Sequence, residues 1–226
     1  IVVYLDQSKF SGFYKDGRRE GKGSIISNEI KFDVNFKDDN FNGSGILIQG
    51  GNTFKNHYIN GLRDGLSHHQ YSDTSVFSGN YQNNEKHGEG VYNYPDGSEF
   101  KGNYQNGKRN GLGNYFFSDG IQYSGYFLDN LPHGEGRLQF NNNVIYEGNF
   151  LNGVKHGKGE FTFQNNKKFE GNFKNDILNG FGNWNFNEGS GDTIYDISGN
   201  GNHGIVYGAE YSQDVPESYN GCTDEN

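Results

Sequence analysis

The sequence predicts an all-β protein: an elongated, single-layer, twisted antiparallel sheet of about eight stacked β-hairpin repeats. Three observations predict it. Aromatic residues reach 16% of the chain, with 19 Phe and 16 Tyr, while glycine reaches 36 residues and proline only 3. Aromatic-x-Gly triplets recur at a nearly fixed interval along the chain. No window carries clear helical periodicity. Aromatic side chains suit the pleated, half-buried surface of a strand, and glycine supplies the turns between strands.

Composition narrows the function classes. Hydrophobic residues are only 31%, and the mean hydropathy is −0.93, poor material for an aliphatic core. The aromatic content argues against disorder, and the lack of a Gly-x-y triplet period excludes collagen. No apolar run approaches the roughly 18 residues of a membrane-spanning helix. The opening "IVVYLDQSKF" has neither an initiating Met nor a signal-peptide pattern, so the chain reads as a mature product or a piece of a longer one. A single cysteine, Cys222, cannot form an internal disulfide. Net charge is −9, and residues 185–226 hold eight acidic residues with no Lys or Arg. The remaining 20 acidic and 19 basic residues nearly cancel. Neither part has the basic footprint of a nucleic-acid binder, and no nucleic-acid partner is expected.

The elements follow in order. Residues 1–9 read as an N-terminal strand or cap. Residues 10–189 form the array, with copies starting at Phe10, Phe32, Phe54, Phe77, Phe100, Tyr123, Tyr146 and Phe169, 22 or 23 residues apart. Two copies are degenerate, with Val34 and Asn56 in place of the central glycine. Each copy carries a Gly-x-Gly in its middle, such as Gly88 and Gly90; the third keeps Gly65 but has Ser67 in the second slot. In "FKGNY", Phe100, Gly102 and Tyr104 share one face of a strand, because side chains alternate with period two. Glycine weakens a strand, so Gly102 needs a reason; the expectation is space for an aromatic from the neighbouring strand. A Gly-rich reversal at the His-Gly-x-Gly segment and a second strand then complete the hairpin. Asp96-Gly97, Asp119-Gly120 or an Asn pair turns the chain into the next copy. One hairpin cannot bury its aromatic face alone, but stacked hairpins can.

This pattern resembles the MORN repeat family, whose unit reads Tyr-x-Gly-x-Trp-x-x-Gly-x-x-His-Gly-x-Gly, then Asp-Gly and another aromatic. Phe77, Gly79, Tyr81, His87, Gly88, Gly90, Asp96 and Gly97 fall in that order. The usual Trp slot holds Tyr14, Phe36, Tyr58, Tyr81, Tyr104, Phe127, Phe150 and Phe173. The resemblance implies the elongated sheet, roughly 75 to 80 Å long at two strands of about 4.8 Å per copy.

Residues 190–226 read as an acidic tail. "WNFNEGSGDTIYDISGNGNHGIVYGAEYS" resembles the opening of a laminin-G-like, concanavalin-type jelly roll, of which it is too short to be a complete module. "YNGCTDEN" resembles the acidic "GCTD" repeats of secreted bacterial surface proteins. An acidic linker, or a strand capping the open sheet edge, is the plainer reading. Trp184 and Phe186 fit both patterns, since they also match Tyr92 and Tyr94 as the second strand of the last copy.

No catalytic, cofactor or metal site is expected. His87, His133 and His156 share one repeat slot, and neighbouring copies place that slot about 10 Å apart, too far for two imidazoles to share a zinc ion. They read as turn residues, and His68-His69 reads as loop. "HGEG" lacks the helix, nucleophile or Gly-Lys-Ser/Thr that a phosphate loop or oxyanion hole requires. The chain therefore reads as a non-enzymatic scaffold that presents an aromatic groove and open strand edges to a protein or peptide, or to a second copy through a sheet edge. The candidate groove residues are Phe77, Tyr81, Phe100, Tyr104, Tyr123, Phe127, Tyr146 and Phe150. Equal weight falls on the alternative that these rings are consumed by their own stacking. Two further readings stay open: an adaptor on acidic lipid, which the near-neutral array supports only weakly, and a secreted adhesive or carbohydrate-binding protein. The tail tips localisation slightly towards secretion or the cell surface, against a cytoplasmic or membrane-peripheral place.

Overall fold

The structure is a computed structural model that describes residues 1–166 and 168–179, together with the backbone strands Thr193–Ile194 and Gly204–Tyr207. Every described element is a β-strand, with antiparallel partners, so the all-β hairpin fold is as predicted. The chain divides into two compact units, Ile1–Ser118 with Phe127–Asn130 and Asp119–Tyr126 with Leu131–Asn226.

In the first unit, strands pair with their neighbours in sequence. Val2–Val3 lies along Lys9 and Phe10. Hairpins follow at Phe10 (Lys9–Lys15 and Arg18–Ile26), Phe32 (Ile30–Lys37 and Asn40–Gln49) and Phe54 (Asn52–Ile59 with Leu62–Arg63 and Gly65–Gln70). Those at Phe77 (Val76–Gln82 and Glu85–Asn93) and Phe100 (Glu99–Gln105 and Lys108–Phe116) complete the series. In the second unit, Leu131–Gln139, Ile145–Leu151, Val154–Thr162 and Lys168–Lys174 pair in succession. Ile177–Leu178 returns along Phe173 and Lys174, and Gly204–Tyr207 lies against Lys168, Phe169 and Glu170. The repeat period assigns that last place to the segment around Trp184. Gly204–Tyr207 holds it instead, and Trp184 and Phe186 lie outside the described residues.

The chain reverses earlier than expected. The first reversal of each hairpin is a two-residue turn with both φ angles positive: Asn83 and Asn84 at 49° and 70°, Asn106 and Gly107 at 50° and 78°. Two-residue turns of this kind match the twist of the flanking strands, and Asn, Asp and Gly tolerate their left-handed backbone. The His-Gly-x-Gly segment is not the reversal; it lies inside the second strand. There it forms a bulge, with Gly88 at φ 66° and the register shifting between Lys86 and Gly90. His87 is therefore a bulge residue rather than a turn residue.

The second glycine of each pair has a different task. A Cβ built on Gly113 would lie 2.7 Å from the Phe100 ring, and one on Gly102 would lie 2.5 Å from the Gly113 Cα. The ring covering both glycines belongs to the same strand as Gly102, not to a neighbouring strand. A Phe at position i reaches over the bare backbone of i+2 on its own face and onto the facing strand. Phe77, Gly79 and Gly90 repeat the arrangement, as do Tyr146, Gly148 and Gly159. Removing such a fully buried ring is worth about 3–5 kcal/mol.

Candidate functional site

All eight predicted groove residues are interior. Phe77, Phe100 and Tyr146 are fully buried, and Tyr81 and Tyr104, the most open, are each 6% exposed. Edge-on ring contacts join Phe77 to Tyr81 and Tyr104, Phe100 to Tyr104 and Phe127, and Tyr146 to Phe150. Burial pushes the Tyr81 phenol up to about 12 and that of Tyr104 higher. The Tyr123 and Tyr146 hydroxyls donate to the Tyr126 and Asn149 carbonyls. These rings hold the hairpins together. More open rings lie beside them.

Those rings come from the second strands and the turns that follow. In the first unit, Tyr71 stacks on Tyr92 at 6.3 Å, Tyr92 meets Tyr94 at 4.5 Å, Tyr94 meets Tyr115 at 5.7 Å, and Tyr115 meets Phe117 at 4.5 Å. The four tyrosines are half-buried and Phe117 is exposed. They form a continuous aromatic strip above the buried rings.

Cations edge this strip. Two residues after the first reversal stand Arg63, Lys86 and Arg109, paired across their hairpins with Tyr58, Tyr81 and Tyr104. Arg63 lies 4.5 Å above the Tyr81 ring, and Arg109 lies 5.2 Å from Tyr115. The Lys86 ammonium sits 4.4 Å from Phe77 and 4.5 Å from Tyr92. Burial, reinforced by the Arg63 charge, pulls Lys86 down to about 8.

Each reversal also clamps the hairpin before it. The amide of its second residue donates to the residue two positions past the preceding reversal: Asn84 to Arg63, Gly107 to Lys86, Asn130 to Arg109. The second turn position alternates along the chain: Gly17, Asp39, Gly61, Asn84, Gly107, Asn130, Gly153, Asp176. Where it is Asp or Asn, the side chain returns the bond, accepting from the amide of Arg19, Arg63, Arg109 or Lys155. The structural period is thus two hairpins, with a doubly bonded joint alternating with a singly bonded one.

The second unit offers a different surface. A shallow depression of about 580 Å³ is lined by Ile121, Phe140, Val144, Phe161 and Phe163, with Asn141 and Asn142 at its side. Its nearest counterpart to the cation row, Lys155, is held by Asp176 at 2.7 Å.

The histidines resolve separately. His68-His69 is not loop but strand, within Gly65–Gln70. His68 is exposed and its Nδ1 meets the Ser78 hydroxyl at 2.7 Å. His69 is buried in the slot that Tyr92 and Tyr115 fill elsewhere. Among the described residues, no group of three or more His, Cys, Asp or Glu is placed to hold a metal ion.

Sequence reasoning did not find the tyrosine strip or the cation row, and it placed His69 in a loop. The Arg or Lys two residues after Gly17, Gly61, Gly107 and Gly153 was the signal for the second, with Lys86 following Asn84 in the same way.

The family described as MORN repeat matches residues 10–28, 77–99, 100–122, 123–144, 146–168 and 169–191. No curated protein matches the chain. Among solved structures, the SAS-4 (dCPAP) TCP domain of Drosophila melanogaster, in complex with a proline-rich motif of Ana2 (dSTIL), is similar at TM-score 0.41 and 9% identity, over 74% of this chain and 84% of that one. The TCP10 domain of Danio rerio CPAP is similar at TM-score 0.36 and 12% identity, over 77% and 93%. Likeness at this level carries no argument about function.

Proposed function

The chain belongs to the MORN repeat family, and from that premise we propose that it is a non-enzymatic scaffold whose first unit binds a peptide segment of a protein partner. The observation that carries this reading is the half-buried aromatic strip, Tyr71 through Tyr92, Tyr94 and Tyr115 to Phe117. Rigid aromatic side chains with polar tips lose little entropy on binding and present apolar area next to hydrogen-bonding groups. The hairpins at Phe32 and Phe54 belong to the same array as degenerate copies, making eight. Their reversals, Asp38-Asp39 and Asn60-Gly61, have the same pair of positive φ angles as the others.

A random-peptide array probed with the whole protein tests the reading. Bound peptides are expected, and Tyr94→Ala with Tyr115→Ala should weaken them about tenfold, the loss of two modest ring contacts. An array with no bound peptide, or binding indifferent to both substitutions, removes the reading.

A further inference from the structure

Resting on that peptide-binding reading, we propose that the ligand of the first unit is an acidic segment in polyproline II conformation, with a carboxylate at every third residue facing Arg63, Lys86 and Arg109.

The charge argument comes from the clamps. Arg19 is clamped by Asp39, whose carboxylate also forms an ion pair with its guanidinium at 3.0 Å. Arg63 and Arg109 are clamped in the same way by Asn84 and Asn130, at 2.8 and 2.9 Å. Asparagine makes the same amide bond with one negative charge fewer. The two central clamps therefore keep the fold and leave the guanidinium without a carboxylate partner. Lys86 adds a third cation where the hairpin at Phe32 has Phe41 in the equivalent place. Among the described residues, none of the three stands in an ion pair, whereas Arg19 and Lys155 do. Lys86 and Arg63 oppose each other's charge, and an anion between them relieves that.

The conformation comes from spacing. The three cations sit on successive hairpins, two strands apart, hence about 10 Å from one to the next. Polyproline II rises about 3.1 Å per residue with three residues per turn, so every third side chain returns to the same side after about 9.3 Å. A β-strand would send alternate side chains away from the surface and miss this interval. Between the carboxylates, apolar residues of the segment would lie on Tyr92, Tyr94 and Tyr115, as polyproline segments do on aromatic-lined grooves.

The test is fluorescence anisotropy of the whole protein with a labelled peptide of four Glu-Pro-Pro repeats. Saturable binding that weakens with salt is expected. Asn84→Asp with Asn130→Asp should weaken it about tenfold, because two carboxylates then occupy the cations. That variant copies the Asp39 clamp; circular dichroism checks its fold, and Lys86→Gln, expected to weaken binding about threefold, is the second variant. Equal binding of four Gln-Pro-Pro or Lys-Pro-Pro repeats overturns the proposal, as does unchanged binding by the Asp variant. Tighter binding of a labelled oligothymidylate overturns it in favour of single-stranded nucleic acid. Failure of the acidic peptide while the array still yields bound peptides overturns this proposal alone; failure of both removes the scaffold reading as well.

Discussion

The hairpins at Phe100 and Phe54 lie in the same unit and solve one packing problem in two ways. At Phe100, bare backbone at Gly102 and Gly113 lets the ring lie flat, fully buried. At Phe54, the same two positions are Asn56 and Ser67, 6% and 3% exposed. Their side chains occupy the ring's place. Phe54 is only half-buried and stands edge-on to His69 at 5.0 Å. A polar network fills the interior instead. His69 Nε2–H donates to Asn56 Oδ1 at 2.7 Å, and Asn56 Nδ2 donates to the Tyr58 hydroxyl at 3.1 Å. The hydroxyls of Tyr81 and Tyr71 lie 3.3 and 3.4 Å from His69 Nδ1, whose one lone pair accepts from either of them. The second strand is also interrupted, where the Asp64 amide turns back to the His57 carbonyl. The backbone frame thus survives loss of the glycines, but a hydrophobic joint becomes a hydrogen-bonded one.

The largest test of this contrast removes each ring. Phe100→Ala should cost about 3–5 kcal/mol in urea denaturation, the range for a fully buried Phe. Phe54→Ala should cost no more than about half of that, because its ring is already partly in water. Equal losses would mean that the two joints are not different in kind.

The polar joint should respond to pH and the glycine joint should not. Burial, with the charges of Arg63, Lys86 and His68, pulls His69 down to about 4 from an ordinary 6.5. The neutral ring is the folded form. Its contribution is full above pH 6.5 and is lost as pH falls towards 4, because the unfolded chain takes up the proton first. About 2.5 units at 1.36 kcal/mol each gives roughly 3 kcal/mol. His69→Tyr with Asn56→Gly returns two of the three polar slots to the regular residues and removes the buried imidazole, and the difference between its pH profile and that of the parent should show this slope between pH 6.5 and 4. Parallel profiles would place the proton elsewhere.

Gly102→Ala comes next, at about 2–3 kcal/mol of overpacking. Its Cβ would meet the Gly113 Cα at 2.5 Å and the Leu112 carbonyl at 2.7 Å, both backbone atoms that cannot rotate away. A neutral result would show that the paired strands separate easily and that the close approach is not needed.

These effects also mark what was legible in the sequence. The 23-residue beat located the strands and named the buried rings, because Phe or Tyr two residues before Gly is a pattern few other structures require. The reversal was misplaced because Gly88 has the left-handed backbone usual in turns. That φ belongs to a bulge, and the pair Asn83-Asn84 four residues earlier carried the turn. His69 reads as loop when its slot is taken alone, but it lies in a strand. Asn56, Ser67 and His69 are polar together, in three slots that meet across one hairpin, and that concerted change was the available signal. The tyrosine strip is a matter of exposure, which periodicity does not encode: Tyr92 and Phe77 alternate alike along their strands, yet only Phe77 is sealed.

The smallest effect has the opposite sign. Ser67 Oγ is buried with no hydrogen-bond partner. Asn56 and His69 satisfy each other, so the hydroxyl is the one cost of the polar joint left uncompensated. Ser67→Ala deletes it without adding an atom, and the Cβ already has its space. A buried unsatisfied polar group costs about 1–3 kcal/mol. Lost dispersion contacts of the oxygen offset part of that, so a gain of about 1 kcal/mol in urea denaturation is expected. Ser67→Gly should gain less, since it also frees the unfolded backbone. A destabilised Ser67→Ala would mean that the hydroxyl is bonded in solution, and the network around Asn56 would then extend across both former glycine positions.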